Sequence, residues 1–257
     1  MLNQKKHTMN LSKNQTRLLI ISNISCWFLL FSLLLMSFNN EKNEKFKVLT
    51  AERINIVNED GTTVIAIANK QRIANPVFNG KSYPVRLSEG RDLMAGMIFF
   101  NEEGDEMGGL VFNSFKMPNG RTAGIGHLSF DKFKDNQVIN LEYSENKNGV
   151  KSGLTFYDRP GDGSFPKSLD LMNDYYFKEL PNERKKEIED TLRIMRVSRA
   201  FGSERLFIGN TNEIPQLSMK DVLGNERIKL FVDSTNAAKL QFFDEKGIII
   251  GEFPNKK

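Results

Sequence analysis

Short apolar runs, broken by an acid or amide and then a glycine, recur along the chain. They appear in "RINIVNEDGTTVIAI" from Arg53, "GMIFFNEEGDEMGGLVF" from Gly96, "LSMKDVLGNERIKLFV" from Leu217 and "KLQFFDEKGIIIGEF" from Lys239. A fifth unit, "LSFDKFKDNQVINLEY" from Leu128, has Asp135-Asn136 where the others have glycine. β-Branched and aromatic residues fit the pleated surface of a strand. Gly, Asn and Asp enter the left-handed region most cheaply, and a chain reversal needs that region. Each unit therefore predicts a β-hairpin, with Gly61, Gly104, Gly224 and Gly247 at positive φ and Asn136 in that role in the fifth unit. The glycines are unevenly spaced, which argues against a solenoid of fixed period and for an antiparallel meander with insertions. Stretches such as Met97-Ile98-Phe99-Phe100 place apolar residues on both strand faces. That pattern predicts a sheet covered on both sides, or one closed into a sandwich or barrel.

Two segments depart from the strand pattern. Between residues 168 and 199 the chain reads as a helical insert, in two pieces near 168–178 and 181–199. Pro181-Asn182 marks a start, Ile188, Leu192 and Met195 form one apolar stripe, and Gly202 is a stop signal. The charge run "NERKKEIED" reads as a solvated helix face with i,i+4 pairing among Glu183, Lys186, Glu187 and Asp190. Near the N-terminus, residues 18–38 are apolar and uncharged, and a helix of that length spans about 30 Å, the thickness of a bilayer core. An apolar core of this length, without a small-x-small site after it, predicts an uncleaved anchor rather than a secretory signal peptide. Cys26 lacks the small residues and the preceding apolar stretch that a lipid-attachment cysteine needs.

Charge changes the picture in one respect. The net charge is +4, but Lys5, Lys6, Lys13 and Arg17 lie in the first seventeen residues with no acid among them, and the rest of the chain is balanced. A phosphate-binding surface needs clustered positive charge on the folded domain, so no nucleic-acid partner is expected. Basic residues ahead of an apolar run instead orient a membrane helix, with residues 1–17 as a cytoplasmic tail, 18–38 as the span and 39–257 as an extracytoplasmic β-rich domain. Cys26, the single cysteine, lies within the span, so the domain beyond it has no disulfide. Its stability rests on packing, to which seventeen of the twenty Phe residues, those beyond the span, contribute large apolar area.

Catalytic chemistry finds little support. His127 is the only histidine beyond the tail, and no nucleophile motif accompanies it, so it reads as a loop or edge residue where a strand begins. One His and no Cys beyond the span fall short of a zinc set. Asp158 and Asp162 lack the alternate-oxygen spacing of a calcium loop, and "AGIGH" and "DRPGDG" match no phosphate-cradling pattern. Acids such as Glu59, Asp60, Glu102, Glu103, Asp244 and Glu245 sit at turns, where they serve solvation and reversal. No catalytic, cofactor-binding or metal-binding residue is assigned, and no cofactor is expected.

The repeated unit, φ-x-φ-x-[DN]-[ED]-x-G-x-x-[RM]-x-x-φ with φ apolar, resembles the hairpin repeats of uncharacterised bacterial proteins that carry an N-terminal membrane segment. The resemblance covers about half of the chain beyond the span and implies neither an activity nor site residues. The sequence thus leads to a mainly β, membrane-anchored module with a structural, scaffolding or binding role and no enzymatic activity. An envelope polysaccharide binder or hydrolase and an accessory subunit of a transport or secretion complex are the alternatives. The expected partner besides the membrane is an envelope protein or polysaccharide.

Overall fold

A computed structural model describes residues 12–37, 44–88 and 90–254 and divides the chain into two units, Met1–Thr50 and Ala51–Lys257. The first contains helix α1 (Lys13–Ser37). It starts ahead of the apolar run because Ser12 and Gln15 cap it reciprocally. Gln15 N–H donates to Ser12 Oγ at 3.3 Å, and Ser12 N–H donates to Gln15 Oε1 at 3.0 Å. From Leu18 on, apolar residues surround the helix instead of forming a stripe. Lys13–Leu34 is long and apolar enough to cross a membrane. Phe38, the last residue of the expected span, lies outside the described residues, as do residues 1–11.

The second unit is mainly β. Its strands are β1 (Arg53–Val57), β2 (Thr63–Ala68), β3 (Val77–Phe78), β4 (Lys81–Ser82), β5 (Ala95–Phe100), β6 (Glu106–Lys116) and β7 (Thr122–Asp131). Then come β8 (Gln137–Asn146), β9 (Gly149–Asp158), helices α2 (Ser164–Phe177) and α3 (Asn182–Val197), and β10 (Ser203–Thr211). The unit ends with β11 (Ile214–Lys220), β12 (Glu226–Val232), β13 (Ala238–Phe243) and β14 (Ile249–Phe253). All but β3 and β4 form one twelve-stranded sheet in chain order, each strand antiparallel to the next. The meander is the predicted topology. The sheet remains open, because β1 pairs only with β2, and β14 only with β13, among the described residues. The sandwich and barrel closures are therefore not formed within the chain.

One turn geometry explains the repeated motif. In the turn Asn58–Thr62, Gly61 N–H donates to Asn58 O and Asn58 N–H donates to Thr62 O. The same pair of bonds closes the turns that begin at Asn101, Met117, Lys132, Asp221, Asp233 and Asp244. The acid or amide at the first position has its own task. Asp221 Oδ1 accepts the N–H groups of Leu223 and Asn225, and Asp233 and Asp244 accept two in the same way. The fourth position holds Gly61, Gly104, Gly224 or Gly247, all at positive φ, as predicted. In the fifth unit the expectation fails, since Lys134 and not Asn136 takes the left-handed conformation. Asp135 occupies the fourth position there, and its Oδ1 accepts Asn136 N–H at 2.7 Å.

Two excursions leave the sheet, residues 69–94 and residues 159–202. The first folds onto it, with Ile73, Ala74 and Met94 packing on Ala66, Ile98 and Val111. In the second, α2 packs Leu169, Phe165 and Met172 against Phe78, Tyr83 and Leu87 of the first. On α3, Ile188 and Met195 are buried as the stripe predicts. The ion pairs of α3 differ from the expected set: Arg184–Glu187 and Arg193–Asp190, each spaced i,i+3. Gly202 does not stop the helix, because α3 ends at Val197 and the left-handed residue after it is Arg199. What Gly202 provides is close approach, since a Cβ there would lie 1.7 Å from Asp158 O.

Candidate functional site

Alternation along each strand gives the sheet two unlike faces. One carries the excursions and most of the buried polar groups. His127 lies there, in the middle of the ten-residue β7 and not at a loop or an edge. Gly124 and Gly126 beside it are strand residues of β7, and the Tyr143 ring lies over Gly124. His127 Nδ1 is 4.0 Å from Glu142 Oε2, and burial lowers its basicity more than Glu142 restores it, which keeps the imidazole neutral at pH 7.

Beneath the first excursion is a cavity of about 270 Å³ lined by Ser88, Arg91, Glu106, His127, Ser129 and Glu142. A second, of about 240 Å³, adjoins it and shares Arg91, Glu106 and Gln137, with Asp131 and the α2 residues Phe165 and Leu169 on its far side. Arg91 NH1 donates to Glu106 Oε2 at 2.8 Å, and both side chains are almost wholly buried. Burial raises the Glu106 carboxyl and Arg91 opposes the shift. Burial, reinforced by the charge of Glu106, pushes Asp131 up to about 8. The cluster is a plausible acid–base constellation by composition, yet its geometry is that of a clasp. Arg91 Nε, His127 Nε2 and Asp131 Oδ1 have no hydrogen-bond partner among the described residues and are closed off from solvent. Two further acids tie the excursions down. Asp105 Oδ1 accepts Gly80 N–H from the β3–β4 turn at 2.7 Å, and Asp135 Oδ2 accepts Gly161 N–H at 2.7 Å. No three His, Cys, Asp or Glu side chains converge to hold a metal ion among the described residues.

The other face is the larger feature. A row of register partners crosses it from edge to edge without a polar residue. It begins Ile54, Ile67, Met97, Leu110, Leu128, Leu141. It continues Leu154, Ile208, Leu217, Leu230, Leu240, Phe253. A second row beside it includes Ile65, Phe99, Phe130, Phe156, Met219 and Phe242, with Gly108 and Gly251 as its only gaps. On the opposite face the corresponding row reads Ser129, Asn140, Thr155, Phe207, Ser218 and Lys229 through the middle of the sheet. The apolar rows are exposed in part: Leu141 is 53%, Leu230 49% and Phe130 52% accessible, while Met97, Leu110, Leu128, Leu154 and Leu217 are half-buried, against 2% for Ile98 and 4% for Phe207 on the other side. Between Phe112 and Tyr143, its register partners, Gly126 leaves a notch in which an added Cβ would meet nothing within 4 Å. A shallow concavity of about 650 Å³ lies there, bounded by Leu110, Gly126, Leu128, Leu141 and Tyr143.

No family model, curated protein or solved structure matches the chain. The functional reading therefore rests on geometry. His127 and the turn acids stand out in the sequence, and the two rows do not. Their signal was present in the hairpin units as alternate apolar positions, but alternation does not say which face lies against other elements.

Proposed function

We propose that the protein is a membrane-anchored, non-enzymatic binding module whose working surface is the apolar face of the sheet. One observation carries the reading: the twelve strands of the sheet place an apolar residue in one unbroken row on the face without excursions, exposed at Ile67, Leu141, Ile208, Leu230 and Phe253 and half-buried at the other strands. Soluble monomers rarely expose contiguous apolar patches larger than a few hundred Å², and larger ones mark interaction sites. The Arg91–Glu106 pair and the Asp135–Gly161 hydrogen bond support the same reading, because they hold the two excursions to the opposite face and leave the apolar face open. α1 anchors the module, with the N-terminus inside and the sheet outside the membrane.

A photoreactive side chain at Leu141 or Leu230 of the full chain in its membrane tests the reading. These positions should form adducts, and Lys229 on the opposite face should not. Equal labelling of both faces, or none on the apolar one, refutes it.

A further inference from the structure

The structure assigns the apolar face a specific occupant, a second copy of this chain packed face to face as the other half of a β-sandwich. This inference rests on the binding-module reading and names the partner.

Three properties of the face select that partner. The first is extent. Eleven interstrand steps of about 4.8 Å make the track roughly 50 Å long, and two rows along the strands make it about 14 Å wide. That is roughly 700 Å² per copy, or about 1,400 Å² for the pair, within the range of stable protein–protein interfaces. A short peptide or a single side-chain anchor would leave most of it in water. Another twelve-stranded sheet has the same length and the same twist, and twisted sheets of one hand pack with their strands nearly aligned.

The second is relief. Phe112 projects from the face, 57% accessible, while Gly126 lies flat beside it in register, with nothing within 4 Å of where a Cβ would stand. An isologous contact presents the same patch on both sides, so a ring of one copy can enter the Gly126 notch of the other. The third is the absence of charge in both rows. A bilayer-bound lipid would satisfy that condition too, but an acyl chain lying along an open track keeps its outer side in water, whereas a second sheet buries both partners. Anchoring by α1 further favours self-pairing, because two copies held in one bilayer meet at a raised local concentration.

The test uses the full chain carrying Cys26→Ser, which removes its one cysteine, in liposomes. Leu141 lies on β8, sixth of the twelve strands in sheet order, so a two-fold axis through the middle of the track brings it close to its own copy whichever way the axis runs in the plane of contact. Leu141→Cys should be joined by a short bismaleimide into a product of doubled mass, and Lys229→Cys should not. Adding Leu230→Lys to the Leu141→Cys chain should cut the product about tenfold or more, since it would bury an unpaired charge, with the strand circular dichroism unchanged. Leu154→Cys, on the adjoining central strand, serves as the second probe if Leu141→Cys fails to fold. Chains that stay monomeric, with no doubled product from either probe, overturn the inference. If the photoreactive side chain at Leu141 then labels lipid or a different protein, the binding-module reading stands without it. If it labels nothing, both fall.

Discussion

Replacing the turn glycines separates backbone conformation from packing. Gly61 and Gly247 hold φ at +87° and +76°, and an added Cβ at either would meet nothing within 4 Å. At Gly104 the nearest atom would be Thr62 Cγ2 at 3.7 Å, and at Gly224 it would be Ser203 Cβ at 3.6 Å, both ordinary contacts. Space is therefore not limiting, and the cost of a side chain is the left-handed conformation alone. For a β-branched residue that is roughly 1–2 kcal/mol per site. In a unit of this size each kcal/mol moves the melting point by about 2–4 °C, so each Gly→Val change should lower it by about 2–8 °C. Gly→Asn should cost less than half as much, because Asn tolerates this region and Asn236 already occupies it in the Asp233 turn. A change in the Gly61 or Gly104 turn should add to one in the Gly224 or Gly247 turn, whereas Gly61 and Gly104 can couple, because a Gly104 Cβ would touch Thr62 beside Gly61. Gly202→Ala is the contrast: a Cβ placed 1.7 Å from Asp158 O forces strand β9 or the α3–β10 junction to move, and the loss should exceed that of any turn Val. Thermal unfolding of the detergent-solubilised chain, followed by circular dichroism in the strand region, gives the comparison. Val and Asn equally harmless at all four turns would refute the positive-φ argument.

Asp131 should make stability depend on pH. Its carboxyl is held near 8 in the fold against 3.8 when exposed, so the folded state holds the proton more tightly. The stability this confers is complete below about pH 4 and is lost up to about pH 8, at roughly 1.4 kcal/mol per pH unit. Asp131→Asn should flatten that slope and raise the midpoint of urea unfolding at pH 8, and an unchanged slope would refute the assignment. Arg91→Ala leaves Glu106 buried without its cation and should cost about 3–5 kcal/mol in denaturant unfolding, whereas Arg184→Ala on the exposed Arg184–Glu187 pair should cost under about 1 kcal/mol. For topology, protease added outside intact spheroplasts should degrade residues 51–257, and protection of the C-terminus would refute the N-inside orientation.

The sequence alone determined the strands of the repeated units, their reversals at glycine and an antiparallel meander, though not β3, β4, β9 and β10. Those are local properties: the acid or amide at position one and the glycine at position four of a turn satisfy their own backbone, and a hairpin pairs its two strands without reference to the rest of the chain. It also determined the helical insert and the apolar N-terminal helix, because stripe and run length are read within one element. Tertiary structure decided what depends on residues far apart. His127 reads as a loop residue beside two glycines, and only the pairing with Val111 and Glu142 places it mid-sheet. Asp105 and Asp135 read as turn acids, and only the arrival of Gly80 and Gly161 buries them. Above all, apolar residues on both strand faces predicted a sheet covered twice. The chain lays its excursions on part of one face and leaves the other bare, because an alternating pattern specifies that a side chain is apolar, while burial depends on which element, or which molecule, comes to lie against it.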